Sequence, residues 1–93
     1  SRNPNNAKLH NNLGTVYYRN ENYDLAIEEY KMAIALDEHL DAAYGNIGLV
    51  FLKEGNVKEA IHFLRKVFQN EEEMVEYILL YNQNQNQNQK QNG

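Results

Sequence analysis

Residues 7–40 read AKLHNNLGTVYYRNENYDLAIEEYKMAIALDEHL, and residues 41–74 read DAAYGNIGLVFLKEGNVKEAIHFLRKVFQNEEEM. Aligned end to end, these two 34-residue stretches share seven identical positions, and other pairs keep the same chemistry. The matches fall on small and apolar residues, which are the positions that packing restrains. The sequence therefore predicts a tandem repeat. The identical pairs are Asn12/Asn46, Gly14/Gly48, Val16/Val50, Asn22/Asn56, Ala26/Ala60, Ile27/Ile61 and Glu38/Glu72.

Each unit contains two stretches in which apolar residues recur at helical spacing. The sequence therefore predicts a pair of helices in each unit, with the apolar stripes packed together. The stripes of the first unit are Leu9, Leu13, Val16, Tyr17 and then Tyr23, Ala26, Ile27, Tyr30, Ala33, Ile34. Those of the second unit are Tyr44, Ile47, Val50, Phe51 and then Val57, Ala60, Ile61, Leu64, Val67, Phe68.

The turn between the two helices carries different residues in the two units. In the second unit, Gly55 can close one helix in the left-handed conformation, and the side chain of Asn56 can cap the next helix. In the first unit, Asn22 is the predicted cap, but Glu21 stands in the place of the glycine. We therefore expect a more strained turn there, or Asn20 in the left-handed conformation instead.

Two glycines lie inside predicted helices, where glycine costs roughly 1 kcal/mol relative to alanine. Gly14 and Gly48 make sense at these places if a neighbouring helix crosses there and leaves no room for a Cβ atom. Ala26 and Ala60 are the expected partners on the second helix of each pair. The resulting architecture is a stack of antiparallel helix pairs.

This pattern resembles the tetratricopeptide repeat (TPR), a 34-residue helix–turn–helix unit with a W-x2-L-G-x2-Y … A-x3-F … P signature. His10 stands in the tryptophan place, and Glu38 and Glu72 replace the closing proline. Pro4 looks like the closing proline of a preceding repeat, which suggests that the chain was cut from a longer array. The matching residues are His10, Leu13, Gly14, Tyr17, Ala26, Tyr30 and Ala33 in the first unit and Tyr44, Ile47, Gly48, Phe51, Ala60, Leu64 and Val67 in the second.

The resemblance implies an all-α fold of stacked antiparallel helix pairs, a fragment of a right-handed α-solenoid with about five helices. A third-repeat helix is expected over Glu71–Tyr81, with Asn70 as its cap. The tail beyond it lacks apolar residues and is expected to be disordered. The expected divisions are residues 1–6 (the end of a missing repeat, or an added segment), 7–40 (first repeat), 41–74 (second repeat), 71–82 (capping helix) and 83–93 (Asn/Gln-rich tail).

The composition argues against several classes of function. Nine Lys and Arg against thirteen Asp and Glu give a net charge of −4, so no nucleic-acid partner is expected. No apolar run approaches the roughly 18 residues of a membrane span, and no signal-peptide pattern is present, so no membrane partner is expected. The absence of cysteine excludes disulfides and is compatible with a reducing compartment. We expect a soluble protein, with the cytoplasm as the favoured location.

Residues that could support catalysis or metal binding are sparse. His10, His39 and His62 belong to different segments, and no pair of them has metal-ligand spacing. His10 is expected to be a packed aromatic residue. Glu59 and His62 stand one helical turn apart, for which a solvated surface pair is the simpler interpretation. We therefore expect no enzyme activity, no catalytic or metal-binding residues and no cofactor.

In a stack of helix pairs, the first helices line an extended groove. Asn12 and Asn46 repeat along it, and each amide offers a donor and an acceptor to the backbone of an extended peptide. The alternative is a hydrogen bond from each to a neighbouring helix backbone. The co-chaperone type of TPR domain, which clamps a terminal carboxylate, needs cations where Asn11 and Thr15 stand, so we reject that mode. The predicted groove residues are Lys8, Asn11, Asn12, Thr15, Tyr18, Arg19, Asn46, Leu49, Leu52 and Lys53.

The predicted function is a protein–protein interaction module with a scaffold role, which binds an extended or helical peptide. Tyr18, Leu49 and Leu52 would anchor the peptide, and the three cations of the groove would select its charge. The alternative is a structural module that self-associates through exposed helical ends, as a homodimer or a stacked oligomer. The residues expected at that surface are Val75, Leu79 and Leu80.

Overall fold

The computed structural model describes the backbone of residues 4–92 and the side chains of residues 5–86. Within these residues the chain forms five helices and no strand, which confirms the predicted all-α class. The helices are α1 (Pro4–Arg19), α2 (Tyr23–Leu36), α3 (Asp41–Lys53), α4 (Val57–Leu64) and α5 (Glu71–Asn92).

Consecutive helices pack against one another: α1 on α2, α2 on α3, and α3 on α4. Because each connection is short, neighbouring helices run antiparallel, as expected for TPR-like pairs. One core cluster joins the two repeats and is built on Tyr30, Ile47 and Val50. A second cluster attaches α5, since Met74 and Ile78 pack with residues of α3 and α4.

The two helical glycines mark close helix crossings, as predicted, but the side chains nearest to them are larger than alanine. A Cβ atom on Gly14 would lie 2.7 Å from ring carbons of Tyr30, and one on Gly48 would lie 2.7 Å from carbons of Leu64. Ala60 was expected at Gly48 and does lie there, since its backbone oxygen would be 3.6 Å from a Cβ atom on Gly48. Ala26 was expected at Gly14, but the nearest atoms there all belong to Tyr30. Tyr30 and Leu64 take these places because their side chains are long enough to reach across the helix interface to the glycine backbone.

The turns of the two repeats have the same backbone geometry despite their different residues. Glu21 has φ +63° and Gly55 has φ +81°, so the glutamate itself takes the left-handed conformation and Asn20 does not. In both turns a backbone N–H reaches back five residues, from Asn22 to Tyr17 (2.9 Å) and from Asn56 to Phe51 (2.8 Å). The expected strain therefore falls on Glu21.

Two of the three predicted side-chain caps are present. The Oδ1 atoms of Asn56 and Asn70 accept hydrogen bonds from the backbone N–H groups of Glu59 (3.4 Å) and Glu73 (2.8 Å). Asn22 stands at the predicted N-cap position of α2, but its side chain makes no cap bond. The first turn of α2 carries an acidic residue, Asp24, which the helix dipole favours there.

The fourth helix is shorter than its apolar stripe predicted. It ends at Leu64, and the stripe residues Val67 and Phe68 lie in the connection to α5. Tight backbone bonds close the helix, from Lys66 N–H to Phe63 O and from Val67 N–H to Leu64 O. The rings of Phe68 and Tyr77 lie 5.3 Å apart, so the connection is fastened to α5 by aromatic packing.

The fifth helix is longer than predicted. It begins at Glu71, as expected, but continues through Asn92, so the expectation of a disordered tail over residues 83–93 is wrong for its described part. No proline or glycine interrupts this stretch before Gly93. Its glutamines are good helix formers, and its asparagines are weaker ones. The helix can therefore propagate from its packed first turns.

Replacing Glu21 with glycine should stabilise the fold, because glycine takes a left-handed φ without the clash of a Cβ atom. We expect the free energy of unfolding to rise by about 1 kcal/mol in chemical denaturation followed by circular dichroism. The matched control is Gly55→Ala, which should lower it by a similar amount. An unchanged stability of Glu21→Gly would show that this turn is unstrained.

Replacing Gly48 with leucine should destabilise the fold by about 1–3 kcal/mol, since the new side chain overlaps Leu64 at the helix crossing. Thermal unfolding measures the effect. Lys53→Leu, at an exposed position of the same helix, should leave the stability nearly unchanged. Equal melting temperatures for the two variants would mean that the helices do not cross at Gly48.

Candidate functional site

A cavity of about 380 Å³ opens along the face of α3 that the sequence assigned to the groove. Asn46 and Leu49 are predicted groove residues, and both line it. Its opposite wall comes from the end of α4, the connection after it and α5. We call this cavity the α3 pocket. Its lining residues are Asp41, Ala42, Gly45, Asn46, Leu49, Leu64, Val67, Phe68 and Tyr77.

The groove does not continue along the rest of α3, because α5 packs over it. Leu52, predicted as an exposed apolar anchor, is only 5 % exposed and lies in the core with Met74 and Ile78. This placement corrects the prediction for Leu52. The physical reason is that Met74 and Ile78 of α5 pack against the face of α3 that was expected to stay open.

The two repeated asparagines have different surroundings. Asn46 is half-buried and donates a hydrogen bond from Nδ2 to Oδ1 of Asn11 (3.0 Å). Its partner is therefore a side chain of α1, not the helix backbone that the alternative interpretation proposed. Asn12 is exposed. The pair Asn11–Asn46 ties α1 to α3 and fixes the orientation of the Asn46 amide at the α3 pocket.

The Thr15 hydroxyl makes hydrogen bonds within the domain, and Thr15 does not line the α3 pocket. Its hydroxyl donates to the backbone oxygen of Asn11 (3.2 Å) and lies 2.9 Å from the hydroxyl of Tyr30. Tyr30 is the side chain that covers Gly14, so Thr15 satisfies the polar end of a buried ring. Thr15 is thus a contact between α1 and α2.

The predicted cations separate into two places. Arg19 and Lys53 line a cleft of about 280 Å³ together with Tyr18, Tyr23 and Glu21. Lys8 is exposed near the other end of α1 and lines neither this cleft nor the α3 pocket. Because Lys53 lies at the opposite end of α3 from Asp41, the cleft and the α3 pocket are separate.

Four tyrosines, from α1, α2 and α5, lie near one another beside the cleft: Tyr18, Tyr23, Tyr77 and Tyr81. The rings of Tyr18 and Tyr23 pack 5.7 Å apart. Burial raises the pKa of Tyr18, and the nearby hydroxyls of Tyr23 and Tyr77 raise it further. Burial also raises the pKa of Tyr81, with smaller contributions from Tyr18 and Tyr23. In the described part of the chain, the Tyr81 hydroxyl is buried without a hydrogen-bond partner.

His10 makes a polar contact, although the sequence predicted a packed aromatic ring. Its Nδ1 lies 2.7 Å from Oε1 of Glu29, and both side chains are partly buried between α1 and α2. His10, at the position where the TPR signature has tryptophan, therefore makes a charge-assisted hydrogen bond with Glu29.

The predicted groove residues include two of those that line the α3 pocket, Asn46 and Leu49. The lining residues that were not predicted are Asp41, Ala42, Gly45, Leu64, Val67, Phe68 and Tyr77. Val67 and Phe68 were expected inside α4, although the predicted cap at Asn70 leaves only Gln69 between Phe68 and the cap.

Comparison with known proteins identifies the family. Residues 5–73 match the tetratricopeptide repeat pattern, which is well over half of the chain. The chain belongs to the tetratricopeptide repeat family. It is also similar to human tetratricopeptide repeat protein 13, with 27 % identity over 70 residues. That match covers 75 % of this chain and only 8 % of the relative. TPR units generally mediate protein–protein interaction and scaffolding, and the family is typically non-catalytic.

Two features of the described residues bear on other functions. None of the described helices combines the length and apolar character needed to cross a membrane. Among the same residues, no three His, Asp or Glu side chains come together at a place that could hold a metal ion.

Replacing Tyr81 with phenylalanine should stabilise the TPR fold by about 1 kcal/mol, because an unpaired buried hydroxyl is unfavourable. The folded state holds the Tyr81 proton more tightly than the unfolded chain does. Wild-type stability should therefore fall as the pH rises above roughly 10, and the variant should lose less. Urea unfolding at neutral and alkaline pH measures both effects.

The control for this variant is Tyr44→Phe. The Tyr44 hydroxyl donates to the backbone oxygen of Glu38 (3.2 Å), so its removal should give no gain at neutral pH. A loss of stability in Tyr81→Phe would show that the hydroxyl has a partner, such as water.

Proposed function

We propose that this TPR domain binds a segment of a partner protein by accepting one apolar side chain in the α3 pocket. The observation that carries the proposal is the cavity itself, which has a volume within the range of about 300–1,000 Å³ that is usual for ligand pockets. Leu49, Val67 and Phe68 supply apolar walls, and Tyr77 adds an aromatic one. Such a pocket favours a leucine or an aromatic anchor.

Asn46 supplies the polar contact beside the anchor. Its bond to Asn11 uses one of the two N–H groups of the amide, so the carbonyl oxygen and the second N–H remain for the partner's backbone. The Asn11 contact also restrains the Asn46 side chain before the partner arrives, which reduces the entropy lost on binding. Asn12 could extend these contacts along α1, where it is exposed.

Charge selection follows from Asp41, the charged residue that lines the α3 pocket. A lysine or arginine next to the apolar anchor is favoured there. Arg19 and Lys53 lie in the separate cleft and would select an acidic residue in a longer segment. Both are exposed, so these contributions are sensitive to salt.

A non-catalytic role is part of the proposal. The three histidines are far apart in the chain, and each has a neighbour that accounts for it. His10 contacts Glu29, His39 lies 3.7 Å from the carboxylate of Glu38, and the ring of His62 packs edge-on against Phe63.

Gly45→Leu tests the proposal, because it fills the α3 pocket without disturbing the helix. A Cβ atom at Gly45 would have its nearest neighbour at 3.9 Å, an ordinary contact with Val67, and leucine is a better helix former than glycine. The variant should be at least as stable as wild type. It should nevertheless bind at least about tenfold more weakly to a synthetic peptide pool with a central leucine or phenylalanine.

Amide chemical-shift mapping gives the readout, with Ala35→Leu as the matched control. Ala35 is exposed on α2, away from the α3 pocket, so this variant should bind like wild type. A second peptide pool with central glutamate should cause no shifts at residues lining the α3 pocket. Undiminished binding by Gly45→Leu, or shifts confined to other surfaces, would contradict the proposal.

A further inference from the structure

The solvent-exposed side of α4 is basic, although the whole chain has a net charge of −4. Lys58, His62 and Arg65 follow one another at spacings of four and three residues, so they lie along one side of the helix. All three are exposed, and an open cavity of about 390 Å³ lies among them. We call this surface the basic α4 face. Its lining residues are Lys58, Glu59, Ile61, His62 and Arg65.

The internal repeat shows that the fold does not require these cations. The residues that stand 34 positions earlier, in α2, are two acids and one base, and all three are also exposed. The packing of a second helix in this domain is therefore compatible with either charge on this side. The equivalents of Lys58, His62 and Arg65 are Asp24, Glu28 and Lys31.

The basic α4 face does not owe its exposure to the position of α4 late in the sequence. The α2 helix has a complete repeat after it, and α3 packs against it, yet the three equivalent residues of α2 remain exposed. A further repeat placed on α4 in the same way would leave Lys58, His62 and Arg65 open to solvent. The surface is thus available in a longer array as well.

Acidic residues border the basic α4 face on both sides. Helix α5 begins with three glutamates, and Oε2 of Glu71 lies 3.2 Å from Nη2 of Arg65. On the other side is α2, whose core cluster includes Phe63 of α4, and α2 carries the exposed acids Asp24 and Glu28. A long polyanion such as RNA would meet these acids, whereas a short acidic segment would lie among the cations alone.

We propose that the basic α4 face binds a short segment of a partner protein that is rich in glutamate or aspartate. The helical rise places Lys58 and Arg65 about 10 Å apart along α4, a distance that an extended segment covers in about three residues. These two cations pair with carboxylates of the segment. The ring N–H of His62 donates a hydrogen bond to another carboxylate, and Ile61 supplies an apolar contact. This surface is separate from the α3 pocket, so the inference goes beyond the proposed function.

The Arg65–Glu71 pair is the contact that the acidic segment must replace. The two side chains are 60 % and 64 % exposed, and an ion pair this exposed contributes little to stability. A carboxylate of the partner can therefore take the place of Glu71. Replacing Glu71 with glutamine removes this competitor and should tighten binding of the segment roughly two- to fivefold.

Amide chemical-shift titration with a synthetic peptide tests the proposal. The probe has a central run of glutamates flanked by glycine and serine, and a matched peptide has glutamines in their place. The glutamate peptide should shift amides of α4, and the glutamine peptide should not. The double variant Lys58→Glu, Arg65→Glu should bind at least about tenfold more weakly, with unchanged helicity by circular dichroism. Lys31→Glu, at the equivalent exposed position of α2, is the control and should bind like wild type.

Gly45→Leu separates this surface from the α3 pocket, because it fills the pocket and leaves the basic α4 face unchanged. It should bind the glutamate peptide like wild type, whatever its effect on apolar peptides. Three results would each overturn the proposal: equal binding of the glutamate and glutamine peptides, undiminished binding by the double variant, or shifts confined to the cleft of Arg19 and Lys53. Tighter binding of a short RNA with the same number of charges would also contradict it.

Discussion

In each repeat, one large side chain lies directly against the backbone of a glycine, and the rest of the stack depends on that contact. Tyr30 covers Gly14, and Leu64 covers Gly48. The close approach brings α1 and α2 near enough for the His10–Glu29 and Thr15–Tyr30 contacts. It also places Tyr30 in the cluster with Ile47 and Val50 of α3, which joins the repeats. The glycine cost in helix propensity is thus offset by packing across both the pair and the repeat junction.

Much of this fold could be predicted from the sequence, because its information is local and repeated. The spacing of apolar residues indicated the helices. Gly55, in the turn of the second repeat, indicated that the equivalent position in the first repeat also needs a left-handed residue. The same period indicated that Gly14 and Gly48 mark crossings. Each of these inferences needs only residues within a few turns of one another. The outward direction of Leu79 followed in the same way, because helical spacing places it off the face that carries Met74, Ile78 and Tyr81.

The candidate site was harder to predict, because it depends on where one helix stops. Val67 and Phe68 continue the apolar stripe of α4, yet the chain leaves the helix at Leu64 and Asn70 caps the next one. Val67 and Phe68 therefore lie in the connection, where they line the α3 pocket, and α5 covers Leu52. Helical phase also cannot show that a polar side chain will choose another polar side chain as partner. Asn46 is paired with Asn11 through tertiary contact, which periodicity alone does not encode.

The Asn/Gln segment of α5 has a consequence of a different kind. The helix spans 22 residues, which corresponds to roughly 33 Å, and the last of its residues to reach the core are near its middle. Each added or deleted Asn-Gln pair would change the length of α5 by about 3 Å and rotate its C-terminal end about the helix axis. Met74, Ile78 and Tyr81 would not move. Because the packed turns precede the repeat, the domain can tolerate such length drift and still fold in the same way.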